Sequence, residues 1–134
     1  MARPRTDYRI ELAADGSFTT ERNVRLDVPR AWTPEHLLLA ALARCSLLAL
    51  DFHARRTEVE AHGAGSASGS VDRRADGDWA FVDVECDLDV SLEPRPPAEE
   101  LAALLDRAER GCFVGSSLTP KPRYRWRVNG EEVR

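Results

Sequence analysis

A chain of 134 residues suits one domain and can bury about two thirds of its surface. Hydrophobic residues at 43% and charged residues at 31% give a globular balance and exclude a disordered chain. A formal net charge of −4 and a pI of about 5.4 argue against a general nucleic-acid binder.

Residues 1–5 read as a loose end, and MARPRTDYRIEL has no apolar core of the kind a secretory signal carries. Tyr8, Ile10 and Leu12 alternate with Arg9 and Glu11, which predicts a half-buried strand. Asp15-Gly16 is a turn signal, with Phe18 to Thr20 returning as the partner strand. Val24, Leu26 and Val28 give a third strand, which Pro29 ends.

The longest apolar run, WTPEHLLLAALARCSLLALDFHARR from Trp32 to Arg56, predicts the central helix. Thr33 fits the N-cap, Pro34 the first helical position, and Glu35 the positive end of the dipole. From Leu37 to Leu50 only Arg44 and Ser46 interrupt Leu, Ala and Cys, so the helix calls for cover nearly all round. A membrane span needs roughly 20 apolar residues. This run is shorter and contains an arginine, so it reads as a soluble core helix.

Val59 to Val71, with GAGSASGS, reads as a small-residue strand whose Gly63, Gly65 and Gly69 permit close packing. RRADGD is a turn, and Trp79 to Leu92 is the clearest strand. Its Val82, Val84, Cys86, Leu88 and Val90 share one face, opposite Asp83, Glu85, Asp87 and Asp89. Ala98 to Arg110 is a second helix, with Leu101, Leu104, Leu105 and Ala108 as its stripe and Gly111 as its C-cap. CFVGSSL is a short helical or turn segment, and Tyr124, Trp126 and Val128 alternate with Arg123, Arg125 and Arg127 in a last strand. Asn129-Gly130 signals a turn before a few more strand residues. The order β-β-β-α-β-β-α-β, with short connections, predicts a single α+β domain, 1–134, with antiparallel sheet around a long central helix.

Three cysteines point to redox chemistry or plain burial rather than a disulfide framework. Cys45 lies inside the central helix and Cys112 just past the second. In one reading, one is an activated thiolate that attacks peroxide and the other traps the sulfenic acid as a disulfide. In the other, both pack as small hydrophobes. Spacing alone does not show that they meet. Cys86 has the alternation of a core strand. His36, His53 and His62 lack metal-ligand spacing, no CxxC or HExxH occurs, and Ser116 and Ser117 lack a GxSxG elbow, so neither a metal site nor a serine hydrolase is expected. The arginines of the last strand read as salt-bridge partners of the acidic strand face, and Trp32, Trp79 and Trp126 as packing anchors.

TPEHLLLAALARC, Thr33 to Cys45, resembles the signature of the OsmC/Ohr family of thiol-dependent hydroperoxide reductases, with a cysteine ten residues after the Pro-Glu glutamate. AERGCFVGSSL, Ala108 to Leu118, resembles the family's second cysteine site, and the order of elements fits. Phe113 stands where a proline is common, Gly115 where a serine is frequent, and Arg44 where a small residue is usual. The resemblance implies Cys45 as the peroxidatic thiol and Cys112 as the resolving thiol. It implies Glu35 as the holder of an arginine that activates Cys45, for which Arg25 is the first choice and Arg30 the second, with Arg22 a further candidate. The absence of an arginine at Asp15-Gly16 favours an OsmC-like over an Ohr-like member.

On one helix Glu35 and Cys45 would stand about 15 Å apart. Two central helices paired antiparallel about a two-fold would bring Glu35 of one chain towards Cys45 of the other. That predicts an intertwined homodimer with composite sites. The expected function is reduction of alkyl or fatty-acyl hydroperoxides through a Cys45 sulfenic acid and a Cys45–Cys112 disulfide, in cytoplasmic oxidative-stress defence. Leu38, Leu42, Leu48, Phe113 and Val114 are candidates to line an apolar substrate site. An external dithiol would be the reductant; no cofactor, metal, nucleic acid or membrane is implied. The alternatives are a non-catalytic small-molecule or lipid-binding protein on the same fold, or a redox sensor.

Overall fold

The structure is a computed structural model describing residues 3–134, so the first two residues of the expected loose end lie outside it. The chain forms two compact units that divide between Glu35 and His36.

The N-terminal unit is a meander of β1 (Ile10–Leu12), β2 (Phe18–Thr20) and β3 (Arg25–Leu26), all antiparallel. Ile10 faces Thr20, and Phe18 faces both Leu12 and Leu26. The Asp-Gly turn forms as its residues dictate. Asp15 Oδ1 accepts the Ser17 amide at 2.9 Å and the Ser17 hydroxyl at 2.6 Å, and Gly16 takes a φ of +89°. The third strand is shorter than its alternation suggests. The first is not half-buried: Ile10 and Leu12 are 59% and 64% exposed, because within this unit no second layer covers so short a sheet.

The second unit contains the rest of α1 (Pro34–Arg55), a sheet in the order β4-β5-β6-β7, and two further helices. The strands are β4 (Glu60–Arg73), β5 (Trp79–Glu93), β6 (Arg123–Val128) and β7 (Glu131–Glu132); the helices are α2 (Ala98–Arg110) and α3 (Phe113–Ser117). Helix α1 is long and apolar enough to cross a membrane by composition, yet it buries Leu42, Ser46, Ala49, Leu50 and Ala54 in the protein core. Its opposite face leaves Leu48 and Phe52 more than half exposed. From β5 come Val84, Cys86, Leu88, Val90 and Leu92, from α2 Leu101, Leu104, Leu105 and Ala108, and from β6 Trp126 and Val128, all in one cluster with α1. Both long helices therefore share one face of the sheet.

Sequence detail sets several positions. A Cβ on Gly63 would come within 2.6 Å of Val90 Cγ1 and 3.2 Å of Leu47 Cδ2, so the glycine permits the approach of α1 and β5. Asn129 and Gly130 have φ of 50° and 84°, the two positive values of a type I′ hairpin turn, and link β6 to β7. The Asn129 side chain also accepts the Leu92 amide at 2.8 Å and donates to the Leu92 carbonyl at 3.1 Å.

Two expectations need correction. Pairing is not antiparallel throughout: β6 runs parallel to β5, with Cys86 opposite Tyr124 and Leu88 opposite Trp126, because the α2–α3 crossover returns the chain to the same end of the sheet. Of the three tryptophans only Trp126 is a buried anchor. Trp32 and Trp79 are 50% and 64% exposed, and Trp79 lies at the start of β5, where its ring takes the Arg73 guanidinium instead of core neighbours.

Candidate active site

Cys45 and Ser46 are consecutive on α1, and their side chains diverge by about 100° around the helix. Ser46 turns into the core and is 1% exposed, whereas Cys45 is half-buried. Cys112 is reached from the other side. Helix α2 ends at Gly111, whose amide bonds the Arg107 carbonyl at 2.8 Å, and Cys112 then serves as N-cap of α3. Its sulfur accepts the Gly115 amide at 3.4 Å and is fully buried.

The structure brings Cys45 and Cys112 close enough for each thiol to act on the other's ionisation. The Val114 and Phe113 amides favour the Cys45 thiolate. Burial pushes the Cys45 thiol up from the ordinary thiol range, and these amides only partly oppose it. Burial acts on Cys112 in the same direction. There the Ser46 hydroxyl, the Gly115 amide, the Tyr124 hydroxyl and the Cys45 thiol outweigh it and hold Cys112 below the ordinary range. Cys86 is pushed up to about 11, chiefly by burial, as befits a core thiol.

A pair of hydroxyls joins these sulfurs, and sequence reading did not single it out. Ser46 Oγ lies 2.8 Å from the Leu42 carbonyl, 3.4 Å from Cys112 Sγ, 3.2 Å from Tyr124 Oη and 4.0 Å from Cys86 Sγ. The available signal was Ser46 itself, a polar residue inside an apolar run, since buried hydroxyls require partners. Tyr124 stacks on Trp126 with ring centroids 6.0 Å apart.

The other expected site residues lie in the N-terminal unit. Arg25, on β3, pairs with Asp27 at 2.9 Å and Asp15 at 3.4 Å, and its side chain is 58% exposed. Arg22 and Arg30 are exposed in the segments flanking β3, and Glu35 stands in the first turn of α1. Of the expected substrate-site residues, Leu42 is in the core, Val114 packs against it, and Leu48 and Phe113 are exposed. The acidic and basic strand faces do meet: Arg123 bonds Asp83 at 2.7 Å and Glu85 at 2.9 Å, while Arg125 turns to Glu132.

Residues 27–127 match the family model of OsmC-like protein. The chain belongs to that family. Its fold resembles an OsmC-like protein of unknown function from Vibrio cholerae, with a TM-score of 0.76, 14% identity, and coverage of 91% of this chain and 99% of the other. It also resembles an organic hydroperoxide resistance protein from Elizabethkingia anophelis, with a TM-score of 0.65, 15% identity, and 95% and 98% coverage. A third likeness, at a TM-score of 0.55, 18% identity, and 92% and 96% coverage, is to an organic hydroperoxide resistance protein of Bacillus subtilis. No curated protein matches the sequence. At such identities the structural likenesses establish the fold alone.

Proposed function

We propose that this OsmC-like chain is a thiol-dependent peroxidase that reduces organic hydroperoxides to alcohols in the cytoplasm. The observation that supports this most is the closeness of Cys45 and Cys112, which come from distant parts of the chain and act on each other's ionisation. The roles follow from access. Cys45 is half-buried and reachable by a peroxide, whereas Cys112 is fully enclosed.

The Cys45 thiolate attacks the distal peroxide oxygen, the O–O bond breaks, and the alkoxide leaves and takes a proton to become the alcohol. Cys112, as thiolate, attacks the sulfur of the Cys45 sulfenic acid. The disulfide forms and hydroxide leaves as water. An external dithiol then reduces the pair.

Because burial pushes the Cys45 thiol up, the first step needs a cation at its sulfur. Arg25 supplies it in this reading, with Arg30 second, and Glu35 orients it. The site is composite, built in a homodimer whose interface covers Leu48 and Phe52 on the open face of α1.

Steady-state consumption of tert-butyl hydroperoxide with a small dithiol tests this. Turnover should be abolished in Cys45→Ser and stall after one equivalent in Cys112→Ser. Consumption no faster than with free cysteine would contradict it and favour a binding protein or slow redox sensor on the same fold.

A further inference from the structure

The side chains around Ser46 do more than fill space. Ser46 has one O–H to donate and two lone pairs, yet four polar atoms surround its oxygen. With Cys112 protonated, Ser46 serves three of the four at once. The Ser46 hydroxyl donates back along α1 to the Leu42 carbonyl at 2.8 Å, and Tyr124 at 3.2 Å and Cys112 at 3.4 Å donate to its lone pairs. With Cys112 ionised, the Ser46 hydroxyl need only rotate its proton onto the sulfur, while the Tyr124 hydroxyl at 3.2 Å donates to Ser46 and strengthens it as a donor. The Leu42 carbonyl keeps its helical amide partner, and the Gly115 amide already bonds Cys112 at 3.4 Å. Two donors then meet one buried anionic sulfur, with Tyr124 behind the first of them, without movement of a heavy atom. Packing preserves the arrangement: a Cβ on Gly115 would lie 3.1 Å from Tyr124 Oη and 3.5 Å from Cys112 Sγ.

We propose that Ser46 and Tyr124, with the Gly115 amide, form a thiolate cradle that makes Cys112 the leaving sulfur, so that an external dithiol opens the Cys45–Cys112 disulfide at Cys45. In this step the reductant thiolate attacks Cys45 Sγ, the S–S bond breaks, and its electron pair passes to Cys112 Sγ. The second thiol of the reductant then attacks its own mixed disulfide and releases Cys45 as thiolate. Two features converge on this direction. The better-stabilised thiolate leaves faster, and Cys45 is the accessible sulfur while Cys112 is enclosed. Ser46 and Tyr124 are positioning residues, acting through Cys112.

The inference rests on the disulfide of the proposed peroxidase but not on its reaction with peroxide, so the test forms the disulfide with diamide. The oxidised protein is mixed with 2-mercaptoethanol, quenched with N-ethylmaleimide and mapped by mass spectrometry. The mercaptoethanol adduct should lie on Cys45, with the maleimide on Cys112. Reduction by dithiothreitol should slow at least tenfold in Ser46→Ala and in Tyr124→Phe, the latter keeping the ring that stacks on Trp126. The slowing should hold across pH, because pH sets the fraction of attacking thiolate and not the leaving sulfur, and Ser46→Thr should restore the rate. An adduct on Cys112, unchanged reduction in Tyr124→Phe, or no Cys45–Cys112 disulfide with diamide would overturn the cradle. Failure with peroxide alone would count only against the peroxidase.

Discussion

The indole N–H of Trp126 donates to Glu109 Oε2 at 2.8 Å, tying the parallel strand β6 to the last turn of α2. Two residues after Glu109 the helix stops at Gly111, and Cys112 follows. Arg134 bonds the same carboxylate at 3.0 Å and Asp106 at 2.7 Å, while its carbonyl accepts the Trp126 amide. The position of Cys112 thus depends on a joint between strand and helix.

Replacing Trp126, which is 1% exposed, should expose how much that joint supports. Trp126→Ala removes a large buried ring and leaves Glu109 with Arg134 as its remaining partner, and should cost about 3–5 kcal/mol in urea denaturation. Glu109→Gln keeps the volume and should cost much less, about 1 kcal/mol.

The thiols should titrate in a definite order. In Cys45→Ser, ultraviolet thiolate absorbance should rise in two steps, Cys112 below the ordinary thiol value of 9.0 and Cys86 near 11. The sign follows from hydrogen-bond donors on the Cys112 thiolate and from the burial of Cys86. Adding Tyr124→Phe should move only the first step, upward.

Cys45 has the opposite problem, because burial raises it. If Arg25 is its activating cation, Arg25→Ala should lower the rate with organic hydroperoxide at neutral pH by at least tenfold. The pH midpoint of that reaction should rise above 9.0, because less thiolate forms at any lower pH. Stopped-flow measurement against Arg30→Ala separates the two candidates.

The open face of α1 gives a prediction about assembly. Leu48 and Phe52 are 58% and 57% exposed, one helical turn apart. Leu48→Glu should shift the proposed dimer to monomer in sedimentation equilibrium and should lower peroxidase turnover with it, because the composite site would be lost.

Sequence pattern revealed the elements whose information is local. Helix α2 runs over the Ala98 to Arg110 span that its leucine stripe and Gly111 define, and the Asn129-Gly130 turn follows from residues that tolerate positive φ. The acidic face of β5 found Arg123 because opposite charges on adjacent strands attract. The direction of β6 was not legible in this way, since alternation is identical for parallel and antiparallel strands. Nor was the exposure of Ile10 and Leu12, because a pattern can mark an apolar face without naming what covers it. The candidate site was legible as two cysteines. Its hydroxyls were not, since Ser46 and Tyr124 meet only once α1 has packed on β6.

The most direct test is to add one equivalent of an organic hydroperoxide to the fully reduced protein, count the remaining thiols within milliseconds, and map the disulfide. The account predicts fast loss of two thiols, a single Cys45–Cys112 link, and an untouched Cys86. Retention of all three thiols, or a link through Cys86, would contradict it.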